Sequence, residues 1–152
     1  MQAVDTKYFE TIPYEPDSVI AFPWGLPAFE HRRKFVLIRF PNTEPLFFLQ
    51  SLDERDLCFP VIRTLVVDPQ YRLRLEKEDL RRLELPSSRQ PRYGEEFECL
   101  ALVTLRESGP TANLRAPVII NLRKMLAVQA VSGEPYSLQH PLKLPQKAGS
   151  CS

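Results

Sequence analysis

Fifteen prolines scattered through 152 residues, against only five glycines, constrain this chain more than any other feature. Proline has no backbone N–H, and its ring clashes with the preceding helical turn. A long helical bundle is therefore excluded, and short strands joined by tight turns are favoured. The apolar residues agree. They fall in brief runs, Phe35–Ile38, Leu46–Gln50, Leu57–Ile62 and Phe97–Leu105, each bounded by turn-forming or charged residues.

Taken in order, Val4–Ile12 reads as a strand pair and Val19–Phe22 as a short strand. Pro23-Trp24-Gly25-Leu26-Pro27 then forces a rigid turn with Gly25 at positive φ. Lys34–Phe40 and Leu46–Gln50 make a hairpin across Pro41–Pro45. In Leu57–Ile62, Pro60 marks an edge or a bulge, and Val66-Val67 extend this apolar character towards Pro69. Tyr71–Leu75 alternates cleanly, with Tyr71, Leu73 and Leu75 on one face and Arg72, Arg74 and Glu76 on the other, which predicts an amphipathic strand. Glu78–Leu83 is the one short helix expected, and Phe97–Leu105 and Met125–Val131 are strands. Residues from His140 onward have little apolar content and are expected to fray.

Between these strands lies the stretch around which the chain is organised, Thr104–Arg123. One strand closes, Gly109-Pro110 turns, Thr111–Asn113 is a polar step, and Pro117 opens the β-branched run Val118-Ile119-Ile120. Asn113 and Asn121 can each bond nearby backbone and lock the irregular segment. Together these signals predict an all-β, single-domain, barrel-like fold of about ten short strands with at most one short helix. Residues 1–142 are expected to form the domain and 143–152 a flexible tail.

Composition narrows the function. Hydrophobic residues make up 43% and charged residues 26%, and the net charge is +1, so nothing global attracts nucleic acid or membrane. The three cysteines, Cys58, Cys99 and Cys151, lack metal or redox spacing and suit a reduced, cytosolic setting. No apolar run reaches bilayer-spanning length, and residues 1–10 do not resemble a secretion signal. The only histidines, His31 and His140, sit in polar surroundings without a zinc or nucleophile motif. No phosphate loop or dinucleotide fingerprint occurs, and no cofactor or metal is expected. An enzyme is disfavoured. Arginines at 32, 33, 72, 74, 81, 82, 89 and 92, with Tyr71 and Tyr93, raise the alternative of a β-barrel module that binds single-stranded nucleic acid. Acids interleaved at Glu76, Glu78, Asp79 and Glu84 favour a solvated mixed face instead.

Thr111-Ala112-Asn113-Leu114-Arg115-Ala116-Pro117-Val118-Ile119-Ile120-Asn121 resembles the signature of the flagellar assembly factor family, FliW. Phe22–Glu30 is similar to the family's early F-P-x-G-I/L-P-G-F-E block, and Phe48-Leu49-Gln50-Ser51 to its F-x-x-L-Q-S strand. Asp68-Pro69 with Tyr71, and Gln129–Val131 with Tyr136 and His140-Pro141-Leu142, resemble later blocks. The resemblance implies a barrel-like regulator without catalytic activity, monomeric when free, with two protein partners and no direct contact with nucleic acid or membrane. The partners are CsrA, a dimeric RNA-binding repressor of flagellin mRNA translation, and flagellin itself. Partner switching between them relieves the repression.

The chain departs from the family pattern at two places. Ala28 stands where glycine is usual, and Arg72 and Arg74 stand where members tend to be acidic. The outward face of Arg72, Arg74 and Glu76 is expected to contact CsrA. Leu26 and Leu114 are expected as exposed apolar contacts, because interfaces need anchors, and Asn113 as a neighbouring contact. Gly25, Pro27, Pro117 and Asn121 are expected to shape loops.

Overall fold

Strand β7 (Phe97–Thr104) is buried along nearly its whole length, with only Leu102 and Thr104 reaching partial or full exposure. Its alternate side chains enter two different cores, Leu100 one and Phe97, Cys99, Ala101 and Val103 the other. A strand covered on both faces reads as a continuous apolar run rather than an alternating one, which is why 97–105 stands out in the sequence.

The computed structural model describes residues 2–26, 31 and 33–143. In chain order the remaining strands are β1 (Gln2–Thr6), β2 (Glu10–Tyr14), β3 (Ile20–Ala21), β4 (Lys34–Ile38), β5 (Phe47–Ser51) and β6 (Cys58–Arg63) before β7. After it come β8 (Thr111–Ala112), β9 (Val118–Asn121), β10 (Leu126–Gln129) and β11 (His140–Pro141). Two short helices, α1 (Thr64–Val67) and α2 (Lys77–Arg82), lie between β6 and β7. One more helix is present than the sequence predicts, because Val66 and Val67 turn into α1 instead of extending a strand.

Neighbouring strands run β7, β6, β5, β4, β3, β10, β9, and β9 pairs back onto β7, so the sheet closes into a barrel. All these pairings are antiparallel except β3 with β10, where Ala21 meets Leu126. Closure leaves the barrel without an open edge at β7 or β9. Phe22, Phe35, Phe47, Leu49, Val61 and Leu100 are among the side chains filling its interior.

Two further cores cover the outside. On one side the β1–β2 hairpin packs Val4, Phe9 and Ile12 over Val36, Ile38 and Phe48. On the other, α2, the run 71–75, β8 and Tyr136 cover the outward faces of β7, β9 and β10 through Leu80, Leu83, Tyr71, Leu75 and Leu114.

Four further expectations are corrected. Tyr71–Leu75 keeps its alternating burial but pairs with no strand. His140-Pro141 is ordered as β11, because His140 and Pro141 find register partners in Ala112 and Thr111. The polar step at Thr111-Ala112 is itself the strand β8 that β11 joins. Pro60 lies in an interior strand rather than at a sheet edge. It faces Phe48 of β5, and the β6–β7 ladder begins only at Val61↔Leu102, so the missing N–H falls where pairing with β7 stops. Of the tail expected over 143–152, all but Lys143 lies outside the described residues, as do Pro27 and Ala28.

Two polar anchors hold the covering layer. Asn121, 3% exposed, donates from Nδ2 to the Leu83 carbonyl at 2.7 Å and accepts the Arg123 and Lys124 N–H groups at 3.0 and 3.2 Å. It satisfies a carbonyl at the end of α2 and the turn into β10 together. Glu96 accepts both arms of the Arg89 guanidinium at 2.8 and 3.2 Å and the Arg92 N–H at 3.0 Å. These donors hold its carboxyl down at about 2.

Asn121→Ala is expected to cost about 1–3 kcal/mol, since it orphans a buried carbonyl and frees two turn amides; urea unfolding at neutral pH measures it. Because the folded pKa of Glu96 is depressed, its stabilisation is present above the usual carboxylate range and is lost as pH falls towards 2. The thermal midpoint is expected to drop between about pH 5 and pH 2, and Glu96→Gln to lower the midpoint at neutral pH while flattening that drop.

Candidate partner-binding site

The central stretch and the tyrosine run, distant in sequence, meet on the outer face of the barrel. Tyr71 donates its hydroxyl proton to the Leu114 carbonyl at 2.6 Å. Its ring stacks on Tyr136, centroids 4.4 Å apart and planes inclined by 27°. The Tyr136 hydroxyl accepts the Arg72 N–H at 2.8 Å, and its carbonyl accepts Arg115 Nε at 2.9 Å. Asn113 Oδ1 accepts the Arg115 and Ala116 N–H groups at 3.1 and 2.9 Å, which shapes the turn that presents Leu114. Burial and the nearby Cys99 and Tyr136 push the Tyr71 hydroxyl up, so it stays a proton donor at any physiological pH.

This cluster fixes the run that follows. Gln90 clamps Leu75 with its side-chain amide, accepting the Leu75 N–H at 3.0 Å and donating to the Leu75 carbonyl at 3.2 Å. A glutamine amide thus replaces one residue of a neighbouring strand. Leu73 and Leu75 point inwards while Arg72, Arg74 and Glu76 are exposed. The outward placement expected of these three residues is what the structure has, although no ladder produces it.

The other expected positions divide. Leu26 and Leu114, expected to be exposed, are 2% and 1% exposed. Leu26 fills the barrel interior beside Phe22 and Phe35, and Leu114 packs into the outer core with Tyr71. Neither offers a surface anchor, because each turns its side chain into a core, Leu114 beneath a polar turn and Leu26 from the proline-flanked turn at Gly25. Gly25 has φ +68 and donates its N–H to the Phe22 carbonyl at 2.8 Å, as the proline-flanked turn requires. Pro117 is buried, and its carbonyl accepts the Ala130 N–H at 3.0 Å immediately before β9 begins. Asn113 is half-buried and spends its carbonyl oxygen on the turn. Trp24 does remain 46% exposed, with the Arg82 guanidinium 5.2 Å above its ring.

Sequence reading missed Gln90 and Arg115. A single glutamine in a polar loop carries no periodicity, and a contact between residues 90 and 75 across α2 leaves no local signal. It also missed an apolar cavity of about 570 Å³ where the β6–β7 ladder ends, lined by Tyr8, Phe9, Phe48, Phe59, Val103 and Leu105 among others.

For chemistry the arrangement offers little. Burial pushes the Cys58 thiol up to about 11 and the Cys99 thiol to about 12, which leaves both protonated and unreactive at neutral pH. Among the described residues no group of three or more His, Cys, Asp or Glu side chains is placed to hold a metal ion. No helix among them is long and apolar enough to cross a membrane.

Comparison with known proteins agrees along the chain. A model of the FliW protein family matches residues 3–142. The flagellar assembly factor FliW of Clostridium tetani (strain Massachusetts / E88) is 32% identical over 142 residues, which covers 91% of this chain and 94% of that protein. That of Syntrophomonas wolfei subsp. wolfei (strain DSM 2245B / Goettingen) is 34% identical over 153 residues, covering 97% and 92%. A crystal structure of the flagellar assembly factor FliW superposes with a TM-score of 0.80 at 28% identity, over 92% of this chain and 96% of that one. The closed barrel, the tyrosine anchor under the central turn and this near full-length match lead to one conclusion: the chain belongs to the FliW family of flagellar assembly factors.

Proposed function

We propose that this chain is a non-enzymatic cytoplasmic regulator of flagellar assembly. It binds the translational repressor CsrA and, in competition, flagellin, so that free flagellin releases CsrA to silence flagellin mRNA. The observation that carries this reading is the family match over residues 3–142. Partner switching needs only a rigid surface and two ligands that cannot occupy it together, and a closed barrel with an externally braced run supplies such a surface.

The exposed Arg72, Arg74 and Glu76 are the contact residues we assign to CsrA. An acidic neighbour would repel RNA over about a Debye length, near 8 Å at physiological salt. Arginines at this place cannot act in that way. Here relief of repression works through occupation of CsrA, with the arginines pairing its carboxylates. The chain acts as a monomer when free.

Direct binding of single-stranded nucleic acid is the weaker reading. Arg81 and Arg82 are paired with Glu78, Arg89 with Glu96 and Arg92 with Glu95. These pairs consume much of the basic middle of the chain, and steeply salt-dependent RNA binding by the chain alone would reverse the preference.

Calorimetric titration with CsrA and with flagellin from the same organism tests the proposal. Each is expected to bind at about one to one, and saturation with flagellin to abolish the CsrA heat; binding of neither removes the reading. Arg72→Glu combined with Arg74→Glu is expected to weaken CsrA about tenfold or more at low salt, given two charge reversals at an interface. Unchanged affinity would remove this face from the CsrA contact.

A further inference from the structure

We propose that Arg72–Glu76 is an open strand edge built to receive an extended protein segment with carboxylates at alternate positions. The inference deepens the partner-binding reading above and rests on it.

Four observations converge on this run. Its burial alternates as in a strand, yet no strand pairs with it. Side chains alone hold it extended: the Tyr136 hydroxyl takes the Arg72 N–H, and the Gln90 amide takes both backbone groups of Leu75. Between those two clamps the N–H groups of Leu73 and Arg74 have no hydrogen-bond partner among the described residues. In an extended run these two donors face opposite edges, so each edge offers one open N–H beside a clamped neighbour, and an open backbone donor is what β-augmentation uses.

The charge on the run is uncompensated as well. Glu78, Glu84, Glu95, Glu96 and Glu98 are each ion-paired with a different arginine or lysine. Among the described residues Arg72 and Arg74 have no carboxylate within ion-pairing distance. Both project to the same side, two residues apart, which is the spacing of side chains on one face of a strand. A partner strand laid alongside would set its own alternate residues opposite them, where opposite charges stabilise the pairing. Carboxylates at two alternate positions complete the match, and a cation at the next would face Glu76.

A hollow of about 270 Å³ beside the run, lined by Leu65, Arg72, Leu73, Tyr93 and Phe97 among others, is open to the intervening apolar side chains of such a segment. Nucleic acid fits less well. Tyr71 is buried and stacked on Tyr136, so it offers no platform beside the arginines for a base to stack on.

The probe is a capped eight-residue peptide of alternating Glu and Val. It is compared with a peptide of the same composition carrying its Glu residues in one block, and with the alternating peptide N-methylated at every second amide. The alternating peptide is expected to bind at low salt and to slow exchange of the Leu73 or the Arg74 amide, whichever edge it pairs with, at least about tenfold, as a new ladder bond would. The block and N-methylated peptides are expected to bind at least about tenfold more weakly, since one loses the facing charges and the other the backbone bonds. Arg72→Gln with Arg74→Gln, a charge removal at two exposed positions that leaves the clamps intact, is expected to abolish binding.

Equal binding of the block or N-methylated peptide, unchanged exchange at both Leu73 and Arg74, no peptide binding, or tighter binding of a single-stranded oligonucleotide each overturns the open edge. Titration of the same Gln variant with CsrA and flagellin separates the two levels. Loss of peptide with both proteins still bound overturns the edge as their docking site while leaving partner switching standing. Absence of binding to either protein by the unmodified chain removes the regulatory reading instead.

Discussion

Pairing of β7 with β9 is the constraint on which the rest depends. It turns a sheet with two exposed edges into a closed wall, and in doing so it buries β7 from both sides. A strand in that position is apolar on both faces apart from the ion-paired Glu98, so its outward side chains need a second cover. That requirement accounts for α2, for the run of 71–75 and for the late arrival of β11. They form the lid over an outer core that closure itself created. The β1–β2 hairpin answers the same need across β4 and β5.

What could be read in the sequence follows from this layering. Val118-Ile119-Ile120 and Phe97–Leu105 announced themselves because double burial leaves no polar alternation, and the Gly25 turn because two prolines admit few geometries. Tyr71–Leu75 was legible as an extended amphipathic run but not as an unpaired one. Periodicity reports which face is buried and says nothing of what sits on the backbone edge. The clamp by Gln90 is a contact between a side chain and distant backbone, invisible to any local pattern. His140-Pro141 looked like a loose end because β11 is held by main-chain register with β8 rather than by apolar side chains of its own.

The candidate site shows the same division. Arg72, Arg74 and Glu76 were placed correctly on the outward face by alternation alone. Leu26 and Leu114 were misplaced because an apolar residue within a turn can point either way, and both here plug the core beneath the turn they belong to. Burial of Leu114 makes the central turn a structural joint. Tyr71 and Tyr136 brace it, and through them the shape of the turn is passed to the arginine-bearing run.

The parallel pairing of β3 with β10 has a consequence for how the protein is made. Ala21 leaves the ribosome early in synthesis, but its partner Leu126 follows only when most of the chain has been translated. Until then the growing chain is an unfinished sheet ending at β3, with the hydrophobic side chains of β4, β5 and β6 uncovered. Closure must therefore wait for a late, non-local pairing, and truncation before β10 would yield a product with no closed state available to it.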